Sequence, residues 1–326
     1  MANIKDVAKI AGVGIATVSR VINHSGYVKN DTRKRIEKIV KELNYQPNEI
    51  ARSMTRQKNS IVAFILPNST HLFFGELLYY VEQELFLQGY KVMLCNSSEK
   101  ISKEIVYLDL LKNNCVDAVI LLTNNDIEKY LDLRFPIVSF DRRFEGVPFV
   151  ASDNFTGGIL AAKRLLEKGC KKLMFIGDDA QGDNTPVITE VTKRRKGFLS
   201  YLQSKNINDF VNIEYPLGDY FISPEEIKPM LEPYPDVDGI FAVSDPVALS
   251  VIRALEMVGK RVPEDVKVIG FDGGRSYLNL GIKITSINQS SDQIAKAISD
   301  IIVAHYRKEK IDNKIIPVFL NEGETA

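Results

Sequence analysis

Five aspartates each close a short apolar run: Asp141 after IVSF, Asp153 after FVAS, Asp178 after LMFIG, Asp245 after IFAVS and Asp272 after VIGF. A carboxylate accepts hydrogen bonds from two hydroxyls at once. With an arginine to donate in return and aromatic rings to cover C–H faces, such a set would recognise a polyhydroxylated ligand. Paired carboxylates also serve glycoside hydrolysis or an oxygen-ligated divalent cation. Against those readings, His24, His71 and His305 form no ligand-spaced pair, and no Ser or Cys sits in a nucleophile elbow. Phe271 to Arg275 (FDGGR) lacks the phosphate-loop pattern. Taken singly, an Asp at a strand end more often caps the next helix or turn. Five together keep a binding pocket competitive, and binding is expected ahead of catalysis, with no cofactor and no metal.

A second polar set lies in Lys5 to Asn23, KDVAKIAGVGIATVSRVIN. Its second apolar-periodic run leaves Ile15, Ala16, Thr17, Ser19 and Arg20 facing outward. Hydroxyls and amides at a helix start bind phosphates, and a long Arg reaches guanine O6 and N7 in a major groove. The alternative is an ordinary helical hairpin packed at a domain edge.

These residues need elements to hold them. Ile4, Val7, Ala8 and Ala11 share one face of a first helix; Val18, Val21 and Ile22 line a second; Ile36, Ile39, Val40 and Leu43 line a third, from about Thr32 to Asn44. Gly12 suits a left-handed turn between the first two. Pro47 interrupts. The brief Glu49–Thr55 stretch is too short for an isolated helix, which needs about 12 residues. From Ser60 the period changes. Apolar runs at 61–67, 90–96, 117–123, 136–141, 171–178, 237–245 and 265–272 alternate with amphipathic stretches at 74–88, 101–113, 155–168, 191–204, 246–258 and 291–307. That alternation indicates parallel sheets covered on both faces, here two doubly wound lobes. Ligands of such sheets bind beyond the carboxyl ends of the strands, where the aspartates fall.

The chain has 326 residues and no net charge, but residues 1–60 hold 12 Lys or Arg against 5 Asp or Glu, a net +7, which leaves −7 on the rest. A basic head on an acidic body is expected when one end meets a polyanion. Cys95, Cys115 and Cys170 form no close-spaced pattern and suit a reducing compartment. The opening MANIKDVAKI has no apolar leader core, and no later run reaches the ~18 residues of a membrane span. A soluble cytoplasmic protein is expected.

DVAKIAGVGIATVSRVIN, then Tyr27, Thr32-Arg33 and LNYQPNEIARSM, resemble the head of lactose-repressor/galactose-repressor (LacI/GalR) family transcriptional regulators, and the resemblance extends over nearly the whole chain. It implies a small all-α helix-turn-helix DNA-binding headpiece (1–47), a hinge helix and linker (48–59), and an α/β, periplasmic-binding-protein-like sugar-sensing and dimerisation domain (60–326). The lobes of that domain would be about 60–159 with 290–318, and 160–289 with 319–326. By the same resemblance Ile15, Ala16 and Arg20 take base-reading positions. Thr17, Ser19, Asn23, Tyr27, Thr32 and Asn48 take phosphate-contact or supporting positions. Met54 stands where the family drives a Leu into the minor groove. Gly14 replaces a capping Ser, at a cost of a few tenths of a kcal/mol. Asp141, Arg194, Asp245 and Asp272 match ligand-binding positions, and Phe73, Phe74 and Tyr220 match cleft aromatics. SFDRR with SDNFTGG looks most like repressors of sucrose or fructose operons. Arg142 and Arg143 add a possible phosphate site, with surface exposure the simpler expectation.

The resulting expectation is a repressor of a carbohydrate operon that binds palindromic operator DNA as a homodimer under control of a small sugar or sugar phosphate. The alternative is a regulator whose corepressor is a phosphorylated carrier protein. No leucine heptad follows the strand Ile315 to Leu320, so a dimer rather than a tetramer is expected.

Overall fold

The computed structural model describes residues 2–45, 59–178, 189–215, 222–274 and 281–326. Two compact units emerge, Met1–Asn59 and Ser60–Ala326. Asn48, Met54, Tyr220 and the Glu49–Thr55 hinge lie outside the described residues.

The first unit holds α1 (Ile4–Ala11), α2 (Ile15–Ile22) and α3 (Asn30–Glu42). α1 starts where the Asn3 side chain accepts from the Lys5 and Asp6 amides while the Asp6 carboxylate accepts from the Asn3 N–H, a reciprocal cap. It stops at Gly12, whose φ of 64° suits a residue without Cβ. Val7, Ala8 and Ala11 meet Val18 and Val21 of α2 and Ile36 and Ile39 of α3 in a small core. α3 begins two residues before the expected Thr32. Its cap, Lys29, makes no side-chain bond to the helix, so no capping residue marks that boundary. Its end also comes before the expected Asn44, which sits in the left-handed region at φ 45°.

The second unit contains two sheets. The first comprises β1 (Ile61–Leu66), β2 (Lys91–Asn96), β3 (Ala118–Leu121), β4 (Ile137–Phe140), β5 (Phe149–Ser152) and β11 (Lys314–Ile316), in the order β11-β5-β4-β3-β1-β2. All its pairings are parallel, with Val62 registered against both Val92 and Ala118. The second comprises β6 (Leu173–Asp178), β7 (Phe210–Tyr215), β8 (Gly239–Ala242), β9 (Lys267–Asp272), β10 (Thr285–Asn288) and β12 (Phe319–Asn321), in the order β12-β10-β9-β8-β6-β7. Only β12 runs antiparallel, against β10. Strands buried on both faces, such as β3 with every residue buried, account for the unbroken apolar runs.

The chain passes between the sheets after β5, after β10 and between β11 and β12. The first crossing falls at Asp153, ahead of the expected boundary at 159/160. The helix Asn154–Glu167 belongs with the second sheet, where its Ala161, Ala162 and Leu165 join the core with Phe175, Phe198 and Phe241. Glycine sets this packing. A Cβ on Gly158 would lie 2.0 Å from the Arg194 carbonyl oxygen, and one on Gly197 would lie 2.0 Å from the Phe155 carbonyl oxygen. The helices Asn154–Glu167 and Lys193–Ser204 therefore touch backbone to backbone.

Candidate functional site

Between the carboxyl ends of the two sheets lies a cavity of about 80 Å³, lined by residues of both lobes, among them Phe73, Phe74, Asp141, Arg194, Asp272 and Gln289. Arg194 lines it from the first turn of Lys193–Ser204 and is only 4% exposed. The Nε donates to Asn154 Oδ1 at 2.7 Å, and Nη1 donates to the Val243 carbonyl at 2.7 Å and lies 3.8 Å from Asp272 Oδ1. The guanidinium stacks on Phe271 at 3.6 Å from the ring centre. A buried arginine held on four sides is a preorganised donor.

The carboxylates flank it. Asn154 Nδ2 donates to Asp141 Oδ1 at 3.3 Å. Burial pushes the Asp141 carboxyl up to about 6, against the pull of Arg194. Gln289 Nε2 donates to Asp272 Oδ1 at 2.6 Å, and Gln289 Oε1 accepts from Ser152 Oγ at 2.8 Å, which ties the two lobes through one side chain. Both aspartates hold positive φ, 55° at Asp141 and 121° at Asp272. Backbone strain of this kind persists where the surroundings enforce it and clusters at ligand sites.

Phe73 and Phe74 begin the helix Leu72–Leu87 and form the apolar wall with Phe140, the Phe73 and Phe140 rings lying 6.0 Å apart. His71 precedes them, and burial together with Arg194 lowers its imidazole to about 4, so it is neutral at pH 7.

Two of the strand-end aspartates have other work. Asp153 caps the helix Asn154–Glu167, accepting from the Thr156 amide at 3.0 Å. Asp245 does not line the cavity: its carboxylate accepts from Ser286 Oγ at 2.6 Å and from the Gly273 N–H at 2.8 Å. It supports the turn that follows Asp272. The neighbouring Ser244 lines the cavity instead. Burial, reinforced by Asp272, raises the Asp245 carboxyl well above its ordinary range. The side chain of Asp178 lies outside the described residues.

Arg142 departs from the expected exposure. It is buried, donates to the Asn125 carbonyl and packs 4.3 Å over Phe144. Arg143 pairs with Glu190 at 2.7 Å and lies 4.6 Å over Phe149. Glu190 also donates its N–H to the Asp141 carbonyl at 2.8 Å, so the lobes are joined directly beside the cavity. Asn154, Thr189 and Gln289 were not expected here. A polar residue one or two positions past a strand end was the only signal for Asn154 and Gln289.

In the head, the outward face of α2 presents Ile15 at 45% exposure, Ala16 and Arg20, with Thr17 and Ser19 half-buried. Asn23 Nδ2 donates to Ser19 Oγ at 3.1 Å, so these two brace one another along the helix. Tyr27 is 85% exposed, and Thr32 is half-buried in the first turn of α3. Gly14 gives α2 no side-chain cap. Among the described residues no cluster of His, Cys, Asp and Glu suits a metal ion, and no helix is long and apolar enough to cross a membrane.

Residues 3–48 match the bacterial regulatory proteins of the lacI family, and residues 59–324 match the periplasmic binding proteins and sugar binding domain of the LacI family. The chain is 35% identical to the ribose operon repressor of Halalkalibacterium halodurans over 96% of its length and 92% of that protein. It is 35% identical to the sucrose operon repressor of Streptococcus mutans serotype c over the whole of both. The fold also matches a crystal structure of the lac repressor dimer bound to operator and an anti-inducer, with a TM-score of 0.85 over 99% of this chain and 98% of that one at 19% identity. Its head, two-lobed core and relatives place this chain in the LacI family of bacterial regulatory proteins, which are regulators of transcription and not enzymes.

Proposed function

We propose that this protein is a dimeric repressor of a carbohydrate-utilisation operon that grips palindromic DNA through α2 and changes its grip when a small sugar enters the cavity around Arg194. The observation that carries the sensing half is the buried Arg194 set between Asp141 and Asp272 against a phenylalanine wall. Hydroxyls bond the polar groups, and the C–H face of a sugar packs on the rings. The ribose and sucrose repressors among its relatives support a sugar effector without choosing between them. The dimer is supported by exposed apolar residues Tyr79, Phe86, Leu87, Leu94 and Val106, which fall on the helix Leu72–Leu87, the edge strand β2 and the following helix Ile101–Lys112. Sedimentation giving a stable tetramer would overturn it.

Sugar binding biases the arrangement of the lobes, and through it the affinity for operator. A gel shift on the native upstream region, titrated with sugars, tests this: release of DNA by one sugar is expected. Tightening by a phosphorylated carrier protein, with every sugar inert, would replace the model with a corepressor mechanism.

Arg20→Ala should weaken operator binding by about 1–3 kcal/mol, the usual worth of a bidentate base contact, with little change on random DNA. Ile15 and Ala16 offer only apolar contact to thymine methyls, so Arg20 carries most polar base recognition. An equal loss on both DNAs would assign Arg20 to phosphate.

Asp141 makes sugar affinity depend on pH. Its folded value, about 6, exceeds the ordinary 3.8, so its ionisation costs stability as the pH climbs through that window. Sugar hydroxyls donate to the ionised form. Binding at pH 5.5 should therefore release protons, and affinity should fall by up to about tenfold per unit below pH 6 while staying level above pH 7. Titration calorimetry in buffers of different ionisation enthalpy measures both effects.

A further inference from the structure

We propose that the effector is an uncharged sugar, and that the cavity rejects sugar phosphates. This rests on the cleft being a sugar site, and it follows from charge.

Among the described residues lining the cavity, Arg194 is the one charged cation, while Asp141 and Asp272 stand on either side of it. Arg194 is already engaged, with its donors on Asn154 Oδ1 and the Val243 carbonyl, its face on Phe271 and Asp272 at 3.8 Å. His71 lines the wall in its neutral form. Two described arginines that follow Asp141 in the chain look elsewhere: Arg142 is committed to the Asn125 carbonyl and Phe144, and Arg143 to Glu190 and Phe149. A phosphate group carries about −1.5 to −2 charges at pH 7. It would have to shed water beside two carboxylates with no uncommitted cation among the described lining residues to receive it. A neutral polyol meets none of this cost, because its hydroxyls donate to the carboxylates that repel an anion.

The test is titration calorimetry and thermal shift on the full chain with neutral pentoses, hexoses and sucrose, and the monophosphate of each. At least one neutral sugar should bind and raise the Tm. Its phosphate should bind at least 100-fold more weakly. A phosphate that binds as tightly as its parent sugar, or more tightly, would overturn the proposal while leaving a sugar sensor standing. If nothing in the panel binds, the sugar-site reading itself fails. Asp141→Asn supplies a second readout: removing one negative charge should narrow the gap between sugar and phosphate by at least tenfold, and an unchanged gap would overturn the charge argument. Circular dichroism and a cooperative melting transition confirm that the variant is folded.

Discussion

Arg194→Met should abolish the sugar response and cost about 3–5 kcal/mol of stability at pH 7, the range for breaking a buried ion pair by removing one partner. The guanidinium satisfies Asn154 Oδ1 and the Val243 carbonyl, and it is the cation nearest two buried carboxylates. Methionine fills much of the same space on Phe271 but donates nothing. Without the arginine the pull that lowers Asp141 disappears, so that carboxyl rises further above about 6 and part of the lost stability returns on acidification to pH 5. Arg194→Lys separates the two roles. It keeps a charge and recovers part of the stability, yet a single ammonium cannot reproduce the forked geometry, and sugar affinity should stay at least 100-fold down. Denaturant melts at pH 5 and pH 7, read beside calorimetric sugar titrations, check all three expectations. A stable Arg194→Met protein with normal sugar binding would remove Arg194 from the site. Operator binding without sugar should survive wherever the fold does, because the head has its own core.

The second large effect is expected at a residue that touches no ligand. Gly158→Ala places a methyl 2.0 Å from the Arg194 carbonyl oxygen and 2.7 Å from the Phe198 nitrogen. Both are backbone atoms in a helix, so no side chain can swing aside. The helices Asn154–Glu167 and Lys193–Ser204 must separate, which moves Arg194 and Asn154 together. Overpacking of this kind costs about 1–3 kcal/mol or more, and the displaced Arg194 should lower sugar affinity at least tenfold. Thermal unfolding and a sugar titration on the same variant measure both. Gly197→Ala, which meets the Phe155 carbonyl at the same distance, should behave alike. A wild-type melt for either would show that the interface can yield.

Much of this architecture was legible before any coordinates. The change of period at Ser60 separates short amphipathic helices from continuous apolar strands, because a helix with one buried stripe and a strand buried on both faces leave different patterns. The left-handed Gly12 matches the turn expected between the first two helices. Where local chemistry is weak the reading slipped: α3 starts at Asn30 because nothing at Lys29 announces a cap.

The site was legible as a class of residues rather than as an arrangement. Strand-end aspartates were evident, but which of them faces a ligand depends on what else reaches the same place. Asp153 finds the Thr156 amide one helical turn on, a local contact that favours capping. Asp245 and Asp272 look equivalent as strand-end acids. Ser286 and Gly273, 41 and 28 residues away, claim both oxygens of Asp245 and leave Asp272 to the cavity. Arg142 looked like a surface cation until Asn125 and Phe144 closed over it.

By itself, then, the sequence determined the elements, the basic head, the family and the kind of chemistry, since periodicity, caps and composition act over a few residues. Only the tertiary structure decided which side chains share the cavity and which arginine reaches it. Those outcomes depend on pairings between residues tens to more than a hundred positions apart, such as Ser152 with Gln289, that no local pattern records.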